Sequence, residues 1–195
     1  PPFLRPSLLL WVASIGYAVV GYYHLNWTPH VLAEAGVATH LAISSGFFTG
    51  TGAILGNLSM GVLSSRTDAV RLTALYFLGA ALALAGFGLV APNAIGMFAM
   101  ASLISFFTLG GFSGLMIVTS RQYPALVRGT GVGGVVGFGR FGAVIGPVIG
   151  GLMIGAGMEL WGAYLVFAGF ALIPFIALVI LAGGNAGKAP VPAAD

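Results

Sequence analysis

Lys, Arg, Asp and Glu are so sparse that they divide the chain into long apolar stretches. Pro6 to Ala33 holds none of the four over 28 residues, and Ala35 to Ser65 none over 31. Leu72 to Ser120 runs for 49 residues without one, twice the length of a single membrane crossing, with the turn signal Pro92-Asn93 near its middle. Gly129 to Met158 is broken only by Arg140, and Leu160 to Gly187 is clean. Apolar residues surround each segment on all sides instead of alternating, which predicts helices and not barrel strands. At about 20 residues per crossing, six spans follow: 8–32, 40–63, 72–91, 94–118, 131–156 and 160–182. The expected fold is an all-α, six-helix membrane bundle forming one domain over 1–195, with 183–195 as a tail.

The loops check this count independently. Arg5, Arg66, Arg71, Arg121, Arg128 and Lys188 all fall on one side, whereas the three opposite loops carry Glu34 and Glu159 and no Lys or Arg. A miscount by one span would scramble that alternation. The bias puts both ends of the chain in the cytoplasm. Trp27 and Trp161 then fall near the outer interface, and Trp11 and Tyr123 near the inner one.

Composition agrees. Charged residues make up 6% of the chain, against about 25% in soluble domains, too few to cover a water-facing surface. The 32 glycines, many inside apolar runs, let helix backbones approach closely in lipid. Cysteine is absent, which excludes disulfides and thiol chemistry. No cofactor, metal site or nucleic-acid partner is expected, and His24, His30 and His40 are not spaced as a metal site. The chain opens Pro1-Pro2-Phe3 without a methionine or charged leader, so a longer parent protein is expected.

Arg140 is the leading candidate for function. It lies nine residues past Gly131, about 13 Å along a helix and near the middle of a hydrocarbon core about 30 Å thick. Such a residue costs at least about 2.5 kcal/mol to insert, so it is expected to face protein or water. No Asp or Glu lies within any span, which leaves two sources for its counter-charge: a substrate carboxylate, or an acid elsewhere in a longer protein. The competing role is an Arg that reaches the interface or bonds free carbonyls near Pro147. His24 fits either a proton carrier or a helix-bonding histidine. Tyr17, Gly21 and His24 share a face of the first span, and Ser105, Thr108 and Phe112 share one of the fourth; each stripe suits a cavity lining or helix packing. Asn57 is expected to bond a neighbouring helix.

Three segments carry a family resemblance. Gly61-Val-Leu-Ser-Ser-Arg66-Thr-Asp68-Ala-Val-Arg71 resembles the cytoplasmic G-x-L-x-D-R-x-G-[RK]-[RK] loop of the major facilitator superfamily, in its copy between helices eight and nine. Gly61, Leu63 and Arg66 match, Ser65 and Asp68 depart from the pattern, and Arg71 is displaced by one. Tyr123-Pro124 to Arg128-Gly129-Thr130-Gly131, followed by Gly139-Arg140-Phe-Gly142-Ala-Val-Ile-Gly146-Pro147-Val-Ile-Gly150-Gly151, resembles the loop before helix eleven and that helix in the aromatic acid:proton symporter branch. Thr130 is placed to cap the start of this span. Tyr22-Tyr23-His24-Leu25-Asn26-Trp27-Thr28-Pro29 is similar to the outer end of helix seven there.

The resemblance implies the second half of a twelve-helix transporter, whose missing amino-terminal six-helix half would close a midplane cavity. It also implies proton-coupled import of a small aromatic carboxylate, with Arg140 meeting the carboxylate and Tyr17, His24, Ser105, Thr108 and Phe112 lining the cavity. Gly61, Arg66, Asp68, Arg71, Arg128, Gly142, Gly146, Pro147 and Gly150 are the expected conformational and packing positions. The proton-coupling acids would lie mainly in the absent half. The alternative is another organic anion, a sugar acid or dicarboxylate. A remote alternative is an intramembrane serine protease, because Gly111-Phe112-Ser113-Gly114 resembles the rhomboid G-x-S-G; that chemistry needs a later histidine, and none follows His40.

Overall fold

A computed structural model describes residues 3–87 and 94–185, apart from the side chains of 160, 161 and 185. The Pro92-Asn93 turn, the Trp161 side chain, Lys188 and most of the tail lie outside the described residues. The regular elements are all helices: α1 (Leu4–Glu34), α2 (Thr39–Ile43), α3 (Ser45–Ser64), α4 (Ala69–Phe87), α5 (Ala94–Gln122), α6 (Ala125–Gly155) and α7 (Leu160–Asn185). With α2 and α3 counted as one crossing, six are long and apolar enough to span a bilayer. α1, with 31 residues, is about 46 Å long, more than enough to cross a hydrocarbon core of about 30 Å.

Helix ends follow local chemistry. α1 and α6 both finish on glycines with left-handed backbones, Gly36 at φ 88° and Gly157 at φ 78°. In each case the next amide reaches back to a carbonyl five residues earlier, Val37 to Leu32 and Met158 to Met153, which satisfies the open end of the helix. α4 is capped by Asp68, whose Oδ1 accepts the Arg71 amide at 2.8 Å. α5 ends at Gln122, ahead of Tyr123-Pro124. The extended Pro124 then starts α6 at Ala125, five residues before Thr130. Thr130 therefore lies inside the helix and caps nothing, contrary to the sequence expectation.

Four helices stand in a row, α3–α5–α1–α6, with α4 behind α5 and α7 behind α1. Exchanging α1 with α5, α3 with α6 and α4 with α7 leaves this pattern of packed pairs unchanged. Glycine makes the two outer pairs close. A Cβ at Gly52 or Gly56 of α3 would strike the carbonyls of Ser102 and Phe106 on α5. A Cβ at Gly142 or Gly146 of α6 would strike those of Ile15 and Val19 on α1. Residue numbers rise together across both pairs, so each is parallel. Lipid offers no hydrophobic drive for helix association, and such backbone contact is what holds these flanking helices.

The middle of the bundle is aromatic and aliphatic. Towards the end of the bundle that holds Glu34, Tyr23 stacks on Phe167 at 3.6 Å and Phe87 on Tyr164 at 4.2 Å. Towards the end that holds Arg66 and Arg71, Leu10, Phe77, Leu115 and Leu178 are fully buried together. α3 and α6 are the least buried spans, and the side of the row away from α4 and α7 is open.

Candidate functional site

Arg140 sits at the midpoint of α6, with fifteen helical residues on either side. Close packing aims it. Gly139 lies against Ser14 and Gly142 against the Ile15 carbonyl, while the Ser14 hydroxyl donates to the Val135 carbonyl at 2.6 Å. With α6 held against α1 in this way, the guanidinium reaches across α1, and its Nη1 donates to the Tyr22 hydroxyl at 3.1 Å. Beneath it is a cleft of about 160 Å³ lined by Ser14, Tyr17, Tyr22, Phe112, Gly139 and Arg140, among others. Its floor is a stack of Tyr17 on Phe112, ring centres 4.6 Å apart and planes within 14°.

Among the described residues no salt bridge joins a carboxylate to Arg140; the Glu34 carboxylate lies 3.2 Å from His30 Nε2, on the exposed carboxy-terminal turn of α1. The guanidinium is thus held at membrane depth by one neutral hydroxyl. Tyr22 accepts from it and keeps its own proton free to donate. Such a site offers an anion a planar fork of donors, a neighbouring hydroxyl and an aromatic surface.

The expected cavity residues divide into two groups. Tyr17 and Phe112 enter the cleft beside Arg140, whereas His24, Ser105 and Thr108 do not. His24 is fully buried where α1 crosses α5. Its Nε2 lies 3.1 Å from both the Ala101 carbonyl and the Ser105 hydroxyl, and its Nδ1 lies 3.0 Å from the Thr28 hydroxyl. A carbonyl can only accept, so Nε2 carries a proton and donates to it. The Thr108 hydroxyl turns back to the Ile104 carbonyl at 2.6 Å, leaving its methyl against Gly21. These side chains fill a helix crossing, and a sequence stripe cannot tell that from a cavity wall.

Other positions take different surroundings. Gly150 lies under the Tyr23 ring, and the Trp27 indole donates to the Pro147 carbonyl at 3.1 Å, tying α1 to α6 near their carboxy-terminal ends. Gly61, Arg66, Asp68, Arg71 and Arg128 are exposed, around the α3–α4 turn and at the start of α6. Arg121 donates to the Ser64 carbonyl at 3.3 Å, a cation on the last carbonyls of α3. Ser113 donates to the Asn57 Oδ1 at 2.8 Å and faces no histidine, so the G-x-S-G string assembles no nucleophile and base. Tyr22 and Ser14 were not singled out as cavity residues from the sequence. The signal for Tyr22 was its place five residues past Tyr17 on a helix whose partner carries the only span-embedded charge.

Six apolar crossings around an aromatic core, with a single midplane cation on an open wall, define a multi-pass α-helical membrane protein. No family model matches the chain. Its sequence is 31% identical over 181 residues to a 3-(3-hydroxy-phenyl)propionate transporter of Escherichia coli, covering 93% of this chain and 45% of that one. It is 30% identical to a 4-hydroxybenzoate transporter of Acinetobacter baylyi, covering 78% and 34%. It is 29% identical to a gallate transporter of Pseudomonas putida, covering 96% and 41%. The chain therefore spans less than half the length of these curated relatives. It belongs to the major facilitator superfamily, as the carboxy-terminal six-helix half of that fold.

Proposed function

We propose that this chain is the second half of a secondary transporter that imports a small aromatic carboxylate together with protons across a bacterial inner membrane. The observation that carries the reading is the uncompensated Arg140 at the centre of α6, bonded to Tyr22 above the Tyr17–Phe112 stack. An arriving carboxylate supplies the missing negative charge, bridging the guanidinium and the Tyr22 proton, while its ring lies on the aromatic floor. The relatives, named for transport of hydroxylated aromatic acids, support this cargo class.

The basic inner loops support cytoplasmic ends for the chain. Glu34, at the last residue of α1, is the only Asp or Glu within the six long helices, and none lies at membrane depth, so proton coupling is assigned to acids of the amino-terminal half. That half also closes the open wall, and the two rock about the midplane site. The exposed loop Gly61–Arg71, with Arg128, is assigned to the contact between halves that this motion makes and breaks.

The test is uptake of labelled benzoate by cells producing the complete protein, competed by aromatic and aliphatic acids and measured with and without a protonophore. Aromatic acids should compete at least tenfold better than sugar acids or dicarboxylates, and the protonophore should abolish accumulation. Stronger competition by the aliphatic acids would transfer the site to the alternative cargo.

A further inference from the structure

A second polar feature lies on the same open wall and has no part in the site above. Ser113 of α5 follows Phe112, which lines the Arg140 cleft, and donates its proton to the Asn57 carboxamide on α3. Asn57 lies seven residues before the inner end of α3, about 10 Å into the helix, among apolar neighbours. Its Oδ1 takes the serine proton, but its amide hydrogens donate to nothing among the described residues, and the side chain is exposed.

Helix geometry shows which way it faces. α3 turns Gly52, Gly56 and Met60 towards α5, and Ser59 bonds Tyr76 of α4 at 2.7 Å on one flank. At 3.6 residues per turn, Ser59 lies about 60° to one side of Gly56 and Asn57 about 100° to the other. Asn57 thus points away from α4, towards the uncovered side of the row. The same face of α3 carries Gly46, Gly50 and Gly61, where an added Cβ would meet nothing. A primary amide turned to hydrocarbon would be costly, so this face meets water or a polar ligand.

Resting on the transporter reading given above, we infer that Asn57 and Ser113 form a second, uncharged subsite that takes a hydroxyl carried on the substrate ring. A phenolic group both accepts and donates. The Asn57 amide supplies donors for its oxygen, and the Ser113 oxygen keeps a lone pair for its proton. Along the wall the order becomes a cation on α6, aromatic rings on α1 and α5, and a neutral hydrogen-bonding pair between α5 and α3. Phe112 of the ring stack and Ser113 of the pair are neighbours on α5, which sets the pair beside the aromatic surface assigned to the substrate ring.

The experiment uses the complete transporter and labelled benzoate, competed by unlabelled benzoate and by its ring-hydroxylated forms. The readout is the ratio of their inhibition constants. Asn57→Leu should worsen the hydroxylated acids relative to benzoate by about tenfold, the loss expected when a ring hydroxyl is left unpaired. Ser113→Ala should move the ratio the same way, and it decides the matter if the leucine variant fails to reach the membrane. An unchanged ratio in variants that reach the membrane overturns the subsite, even if all uptake falls together. A wild-type protein that takes up no aromatic acid overturns both the subsite and the reading beneath it.

Discussion

Tyr22 is the only hydrogen-bond partner that Arg140 has among the described residues, and in the proposed function it stands beside the incoming carboxylate. Its hydroxyl accepts from the guanidinium and keeps a proton that the proposed carboxylate would accept. Tyr22→Phe should therefore weaken carboxylate binding about tenfold, as loss of a hydrogen bond to a charged group does, with the protein still inserted; a titration of the purified full-length protein measures this. His24 makes the opposite case. Both its ring nitrogens are engaged between α1 and α5, so His24→Leu should lower thermal stability in detergent by leaving the Ala101 carbonyl and the Thr28 and Ser105 hydroxyls without this partner. Binding at the cleft should persist in the protein that remains folded. Sequence reading found Arg140 because an ionisable residue in an apolar run carries its own signal. It grouped Tyr17 with His24 because helical spacing assigns a face, and a face contacts different neighbours along its length. Tyr17 meets Phe112 and the cleft, while two turns further on His24 meets the α5 backbone.

The glycines of α3 and α6 do the structural work of the outer pairs. Gly142 and Gly146 were legible in the sequence as a close-packing face, since spacing of four on a helix needs no knowledge of the partner. Their equivalents on α3, Gly52 and Gly56, were not singled out, because nothing in that span marks which of its glycines touch backbone and which face open space. Gly146→Leu should force α6 away from Val19 and with it displace Arg140 from Tyr22. A melting-temperature measurement in detergent should show a drop of several degrees, from an overpacking cost of about 1–3 kcal/mol, whereas Gly133→Leu, at an open position, should leave it unchanged. Helix starts were less legible. Thr130 has the composition of a cap, but Pro124 already sets the backbone that begins α6, and local propensity gives way to the earlier start.

For the molecule as a whole, charge placement was the most informative feature of the sequence. Loops that alternate between carrying Lys or Arg and carrying neither predict six crossings without reference to packing, and among the described residues six helices are long and apolar enough to cross. Which helices touch was not readable, because all six are apolar on every side and any pair would satisfy hydropathy equally. The structure resolves this by pairing α3 with α5 and α6 with α1, which brings a cation from the fifth crossing over tyrosines of the first.

The most direct measurement compares benzoate with benzamide, which share a ring but differ in charge, as ligands of the purified complete protein and its Arg140→Gln variant. The wild-type protein should bind the acid at least tenfold more tightly than the amide, and the variant should show no such preference. A variant that keeps the preference for the acid would mean that the charge is read elsewhere, and that Arg140 is not where the cargo binds.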